Sequence, residues 1–172
     1  NHGPYLRQAV DGVLMQKTDF PFEVLLGEDC SPDDSREILK EYERQHPDFF
    51  QMFYREKNMG ANSNWLDLFL RARGEYIISL ETDDYWTDPD KLQKQADFLD
   101  SHKEYIGCAD NFIEISEDGN IVCQSSDTGN SGHDFTLQIF LTDRPHTQSA
   151  ALMYRNFRVD GDDYSIFTKA ST

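Results

Sequence analysis

Hydrophobic and polar positions along the chain alternate between two periods. Leu6, Ala9, Val10, Val13 and Leu14 recur at helical spacing behind Pro4 in a first-turn position, predicting a helix near the start. The run from Phe22 to Gly27 is short and mostly apolar, the pattern of a buried strand. Ser31 with Asp34 three residues on resembles a capping box, opening a helix with Ile38, Leu39 and Tyr42 inward and Pro47 at its end. A strand is expected over 50–55, then a helix with Trp65, Leu68, Phe69 and Ala72 in the core and Gly74 as its stop, then a strand over 75–80. Asp88 and Pro89 read as N-cap and first residue of a helix with Leu92, Ala96 and Leu99 on one face. Beyond about residue 105 the pattern changes. Ile106–Ser116 and Ile121–Gln124 flank a Glu-Asp-Gly-Asn hairpin signal, 125–134 reads as a loop, and a short helix near 135–141 and a strand near 148–154 follow. Strands alternating with helices argue for an α/β three-layer sandwich with a mainly parallel sheet.

Composition narrows the chemistry. A chain of 172 residues suits one domain. Acids outnumber bases 32 to 16, for a net charge of −16, which repels phosphate backbones and anionic lipid. No nucleic-acid partner is therefore expected. No apolar run approaches the roughly 18 residues that cross a bilayer, so no transmembrane segment is expected in this chain. Cys30, Cys108 and Cys123 are odd in number and far apart, which disfavours disulfides or a zinc site and suits a reducing cytoplasm.

The candidate chemistry lies after the strand at 75–80. Glu81-Thr-Asp83-Asp84-Tyr-Trp-Thr-Asp88-Pro-Asp90 holds five acids and no base, where open α/β sheets bind ligands. Crowded carboxylates repel unless a cation cancels them, and carboxylate oxygens suit Mg²⁺ or Mn²⁺. A solvated helix-capping turn accounts for Asp88 but not for Asp83 and Asp84, nor for two bulky aromatics in a polar segment. An EF-hand loop, a P-loop and a GxGxxG fingerprint are all missing. A second acidic group, Glu28-Asp29-Cys30-Ser31-Pro32-Asp33-Asp34, follows the preceding parallel strand and puts Asp29 on the same sheet edge, able to accept from a base N–H or a ribose hydroxyl.

These residues carry a resemblance to the family 2 glycosyltransferases of the GT-A fold. Its elements are Tyr5-Leu-x-Gln-Ala-Val-x-x-Val-Leu-x-Gln16, Glu28-Asp-Cys-Ser-x-Asp33, Asn58-x-Gly60, Gly74-Glu-Tyr-Ile and, most specific, Glu81-Thr-Asp-Asp-Tyr-Trp-Thr-Asp-Pro-x-Lys-Leu-Gln-Lys-Gln-x-Asp-Phe-Leu99. The resemblance implies one domain over 1–172, with a donor-binding half at 1–112 and an acceptor and catalytic-base half at 113–172. It implies a nucleoside-diphosphate sugar donor, a UDP-sugar, and a hydroxyl acceptor attacking with inversion in cell-surface polysaccharide or other glycoconjugate synthesis. Asp29 is then expected on the uracil or thymine ring, with Glu28, Asn58, Glu81 and Asp83 in the donor-binding set. Asp83 and Asp84 are expected on Mn²⁺ or Mg²⁺, and Asp162, with Asp163 as second choice, as the base. Glu28 and Glu81 stand where aspartates are common in the family. Asn1 matches the end of the family's usual first strand, and relatives continue past the presumed base. Two other readings stay open, a nucleotide-sugar-binding module without catalysis and a nucleotidyl or phosphoryl transferase. His133 and His146 are candidates near the diphosphate, Arg71 and Arg73 for phosphate contact, and Cys30 lies near the base pocket without a histidine to activate it.

Overall fold

The computed structural model describes residues 3–125 and 148–156. The elements in order are α1 (Gly3–Leu14), β1 (Val24–Glu28), α2 (Ser35–Gln45), β2 (Phe50–Tyr54), α3 (Ala61–Arg71), β3 (Tyr76–Ile78), α4 (Lys91–Ser101), β4 (Gly107–Ala109), β5 (Ile113–Ile115), β6 (Ile121–Gln124) and β7 (Leu152–Arg155), the last entered through a 3₁₀ turn at Ser149–Ala151. This is the α/β alternation that the periodicity predicts.

Among the described residues the strands form three sheets. β1 and β2 pair in parallel, Val24 opposite Phe50 and Glu28 opposite Tyr54. β7 lies antiparallel between β3 and β4, so those two run in the same direction. A sheet with one reversed strand follows, because β7 returns to the middle from a distant part of the chain. β5 and β6 make the expected hairpin around Gly119, which takes a positive φ of 78°. The single strand expected over 106–116 is divided, its first part joining β7 and its second part the hairpin.

Two apolar clusters hold the layers. Leu6 and Val10 of α1 pack with Ile38, Leu39 and Tyr42 of α2 over Phe50 of β2. Val13 of α1 joins Trp86, Leu92, Leu99 and Met153, over Tyr76, Ile78 and Cys108 of β3 and β4. Helix α1 thus serves both, its residues 6, 10 and 13 on one stripe. Among the described residues β1 bonds only to β2 and β3 only to β7. Val10 and Val13, Val24 and Leu26, and Leu80 line the apolar space between those ladders.

Several local expectations are corrected. The capping box does not form: α2 begins after Asp34, and Asp33 Oδ1 accepts the Ser35 N–H at 3.1 Å. Helix α4 is capped at Asp90 rather than Asp88, whose Oδ1 instead accepts the Asp90 N–H at 3.0 Å. Helix α3 ends at Arg71 with Ala72 as its cap, and the Gly74 N–H goes to Glu23 Oε1 at 3.1 Å. Trp65 is 41% exposed, not core; it stacks on buried Phe69 and its Nε1 donates to Ser79 Oγ at 3.0 Å. The indole nitrogen needs a partner, and the strand edge supplies one.

Candidate functional site

The two acidic groups leave the ends of β1 and β3. At the end of β1, Glu28 is 4% exposed and its oxygens are taken: Oε1 accepts the Ser31 N–H at 2.6 Å and Oε2 accepts from Arg36 Nε at 2.6 Å. Arg36 also donates to the Arg55 carbonyl, tying the end of β2 to this corner. Burial by itself raises the Glu28 pKa, but the Ser31 N–H and the Arg36 guanidinium outweigh it and hold the carboxyl below its usual range. Glu28 is thus placed as a girder of the loop.

Asp29 faces the next loop. Its Oδ1 accepts the Met59 N–H at 2.8 Å and its Oδ2 the Gly60 N–H at 2.9 Å, which also reaches Asn58 Oδ1 at 3.0 Å. Asp29 and Asn58, expected together, are brought together. Gly60 has φ of 87°, a left-handed conformation that presents its N–H here. A carboxylate accepts about four hydrogen bonds, so two used this way leave capacity for a ligand N–H. Under this loop Asn64 Nδ2 donates to the Gly27 carbonyl at 2.8 Å, and a Cβ at Gly27 would lie 2.5 Å from Asn64 Oδ1. Glycine lets α3 close on the strand.

The acidic segment behaves differently. Asp83 is exposed and Asp84 half-buried in a turn closed by the Asp84 N–H on the Glu81 carbonyl at 3.1 Å. Glu81 accepts from Ser149 Oγ at 3.0 Å, which brings the turn before β7 to the rim. Burial first, then the charges of Asp83 and Glu81, push the Asp84 pKa up. Among the described residues no three His, Cys, Asp or Glu side chains converge on one point. The donor set nevertheless fits a hard cation, since carboxylate oxygens are the ligands such an ion prefers and Asp84 is crowded by Asp83 and Glu81.

The segment is held in place by α1, a contact that sequence reasoning misses. A Cβ at Gly12 would stand 2.9 Å from the Trp86 carbonyl oxygen and 3.0 Å from its nitrogen. Gln16 Nε2 donates to the Asp88 carbonyl at 2.8 Å while its Oε1 accepts the Leu92 N–H at 3.2 Å, satisfying an orphan donor in the first turn of α4. Gly12 inside a helical pattern and Gln16 at the end of the family-like series were the available signals. Gly12→Ala is expected to lower stability by about 1–2 kcal/mol in urea unfolding, as overpacking against backbone exceeds the helix-propensity gain of about 1 kcal/mol.

The arginines proposed for phosphate are engaged elsewhere: Arg71 pairs with Asp67 at 2.8 Å and Arg73 with Glu23 at 3.1 Å. Cys30 is exposed at φ 59°, its thiol 3.7 Å from the Glu56 carbonyl. Asp162, Asp163, His133 and His146 lie outside the described residues. Among the described residues no helix is long and apolar enough to cross a membrane.

Comparison with known proteins converges on one family. The model of glycosyl transferase family 2 matches residues 1–162. An uncharacterized protein of Mycobacterium tuberculosis is 43% identical over 119 residues, 69% of this chain and 34% of its own. The putative teichuronic acid biosynthesis glycosyltransferase TuaG of Bacillus subtilis is 35% identical over 99 residues, 58% of this chain and 38% of its own. The chain thus spans about a third of the length of these relatives. Residues 1–349 of S. aureus TarS, solved with UDP-GlcNAc, superpose with a TM-score of 0.64 at 24% identity, over 92% of this chain and 44% of that one. That likeness carries the fold, GT-A, in agreement with the sheet and helices described above. On the family match over almost its whole length, the chain belongs to glycosyltransferase family 2.

Proposed function

We propose that this chain transfers a sugar from a nucleoside diphosphate, a UDP-sugar, to a hydroxyl acceptor with inversion, in the synthesis of a cell-surface polysaccharide. The observation that carries this is the half-buried Asp84 beside Asp83 and Glu81 at the end of β3, a concentration of carboxylates that the fold holds in place and that pushes the Asp84 pKa up. TuaG, by its name, supports a role in polysaccharide synthesis, and TarS, by its bound UDP-GlcNAc, supports the donor.

Asp83 and Asp84 would hold Mn²⁺ or Mg²⁺. That cation, when bound, neutralises the charge that builds on a departing diphosphate. Asp29, oriented by the Met59 and Gly60 N–H groups, accepts a hydrogen bond from the pyrimidine ring, and Asn58 shapes the same loop. Glu28 contributes by fixing that loop through Ser31 and Arg36. Glu81, steadied by Ser149, borders the sugar side. Asp162, or Asp163 beside it, takes the proton of the attacking hydroxyl as it opposes the leaving diphosphate. Configuration inverts in that single displacement.

Thermal unfolding with Mn²⁺ and UDP tests the donor site. Together at about 100 times the dissociation constant they should stabilise the chain by about 2.7 kcal/mol, with little effect from UDP alone. Equal stabilisation by UDP without metal would remove the cation from the account. UDP release from candidate UDP-sugars then separates a transferase from a nucleotide-sugar-binding module: binding with no turnover for any donor is the module's signature. Turnover undiminished by Asp162→Asn and Asp163→Asn moves the base elsewhere.

A further inference from the structure

Lys91 opens α4 with its side chain only 3% exposed. Its Nζ lies 2.6 Å from Asp110 Oδ2 and 5.5 Å from the centroid of the Trp86 ring. Trp86, in the acidic segment, donates its Nε1 to the Ala150 carbonyl at 2.9 Å. Asp110, which follows β4, donates its N–H to the Ala151 carbonyl at 3.3 Å. One buried cation therefore joins three pieces of chain: the end of the acidic segment, the end of β4 and the turn before β7.

A lysine is a poor choice for filling that space. Taking an ammonium out of water is strongly unfavourable unless it is paired, and an apolar side chain of the same length would pack there without that penalty. Burial accordingly pushes the Lys91 pKa down, and Asp110 opposes it. What the charge adds over a methionine is direction, because it fixes Asp110 on one side and the face of Trp86 on the other.

We propose that Lys91 is a positioning residue, whose ion pair with Asp110 beneath Trp86 sets the placement of the Asp83–Asp84 turn for a cation-bound nucleoside diphosphate. This rests on the donor reading above. The test is calorimetric titration of the whole chain with UDP in the presence of Mn²⁺, alongside urea unfolding. Lys91→Met should unfold near the parent's urea midpoint yet bind at least tenfold more weakly, and Lys91→Arg should recover most of that loss. If Lys91→Met folds poorly, the Lys91→Met/Asp110→Asn double variant, which leaves neither charge unpaired, carries the same comparison. Unchanged affinity in Lys91→Met and in the double variant, or Lys91→Arg binding no better than Lys91→Met, overturns the positioning role while the donor site stands. A parent that does not bind Mn²⁺ and UDP overturns the donor reading and this inference with it.

Discussion

Asp84→Asn is expected to stabilise the chain when no cation is present and, in the same preparation, to abolish the response to Mn²⁺ with UDP. The two halves of this result have one cause. Burial and the neighbouring Asp83 and Glu81 raise the Asp84 pKa in the folded chain above its value in the unfolded one. Near neutral pH the ionised group is therefore worse off folded than unfolded, and removing its charge removes that penalty. For the parent this destabilisation grows as pH rises from the ordinary aspartate value through the raised one, because the folded state holds its proton longer. The variant has no such proton to lose, so the stability gap between the two should close in acid. Adding Mn²⁺ with UDP reverses the ranking: the parent gains about 2.7 kcal/mol at 100 times the dissociation constant and the variant gains nothing. Thermal unfolding of both proteins, with and without ligands and at two pH values, reads all of this. A variant less stable than the parent without metal would show that Asp84 makes stabilising contacts, and one still protected by Mn²⁺ with UDP would show that it is not a ligand.

Arg36→Met should destabilise the chain near neutral pH, since it removes the charge that compensates the carboxylate of Glu28, whose side chain is 2% exposed. In the parent, Glu28 titrates below its unfolded value, so its contribution is complete above the ordinary glutamate pKa and fades as pH falls through the lower, folded one. In the variant, burial acts with less opposition and the carboxyl takes a proton at higher pH. The difference between parent and variant should then shrink as the solution is acidified from neutral to about pH 4, close to the ordinary glutamate pKa. Urea unfolding across that range measures it. A constant difference would mean that Arg36 acts through packing on Tyr54, whose ring it overlies at 5.7 Å, rather than through Glu28. Because the same arginine holds the Arg55 carbonyl, the Asp29 loop should loosen too, and binding of UDP with Mn²⁺ should weaken in the same variant.

Local periodicity was enough to determine α1, α2, α4 and the β1 and β2 strands, because burial of one stripe or one face is written into consecutive residues, while turn residues around Gly119 marked the exposed hairpin. Residues 6, 9, 10 and 13 are all buried, as their spacing requires. The series from Glu81 to Leu99 also determined the family, being long and ordered. Tertiary structure decided what depends on residues far apart. The Asp88 carbonyl and Leu92 N–H meet a glutamine more than seventy positions earlier, and no local pattern records that partner. β7 enters between β3 and β4, which divides a run that reads as one strand. Trp65 sits on a stripe that looks internal, yet α3 turns it toward the β3 edge where Ser79 meets its N–H. Of the acids clustered in the sequence, the fold alone separates a buried, paired Glu28 and a loop-binding Asp29 from an Asp84 kept under repulsion. A carboxylate's character is set by what surrounds it in space, and sequence neighbours supply only part of that surrounding.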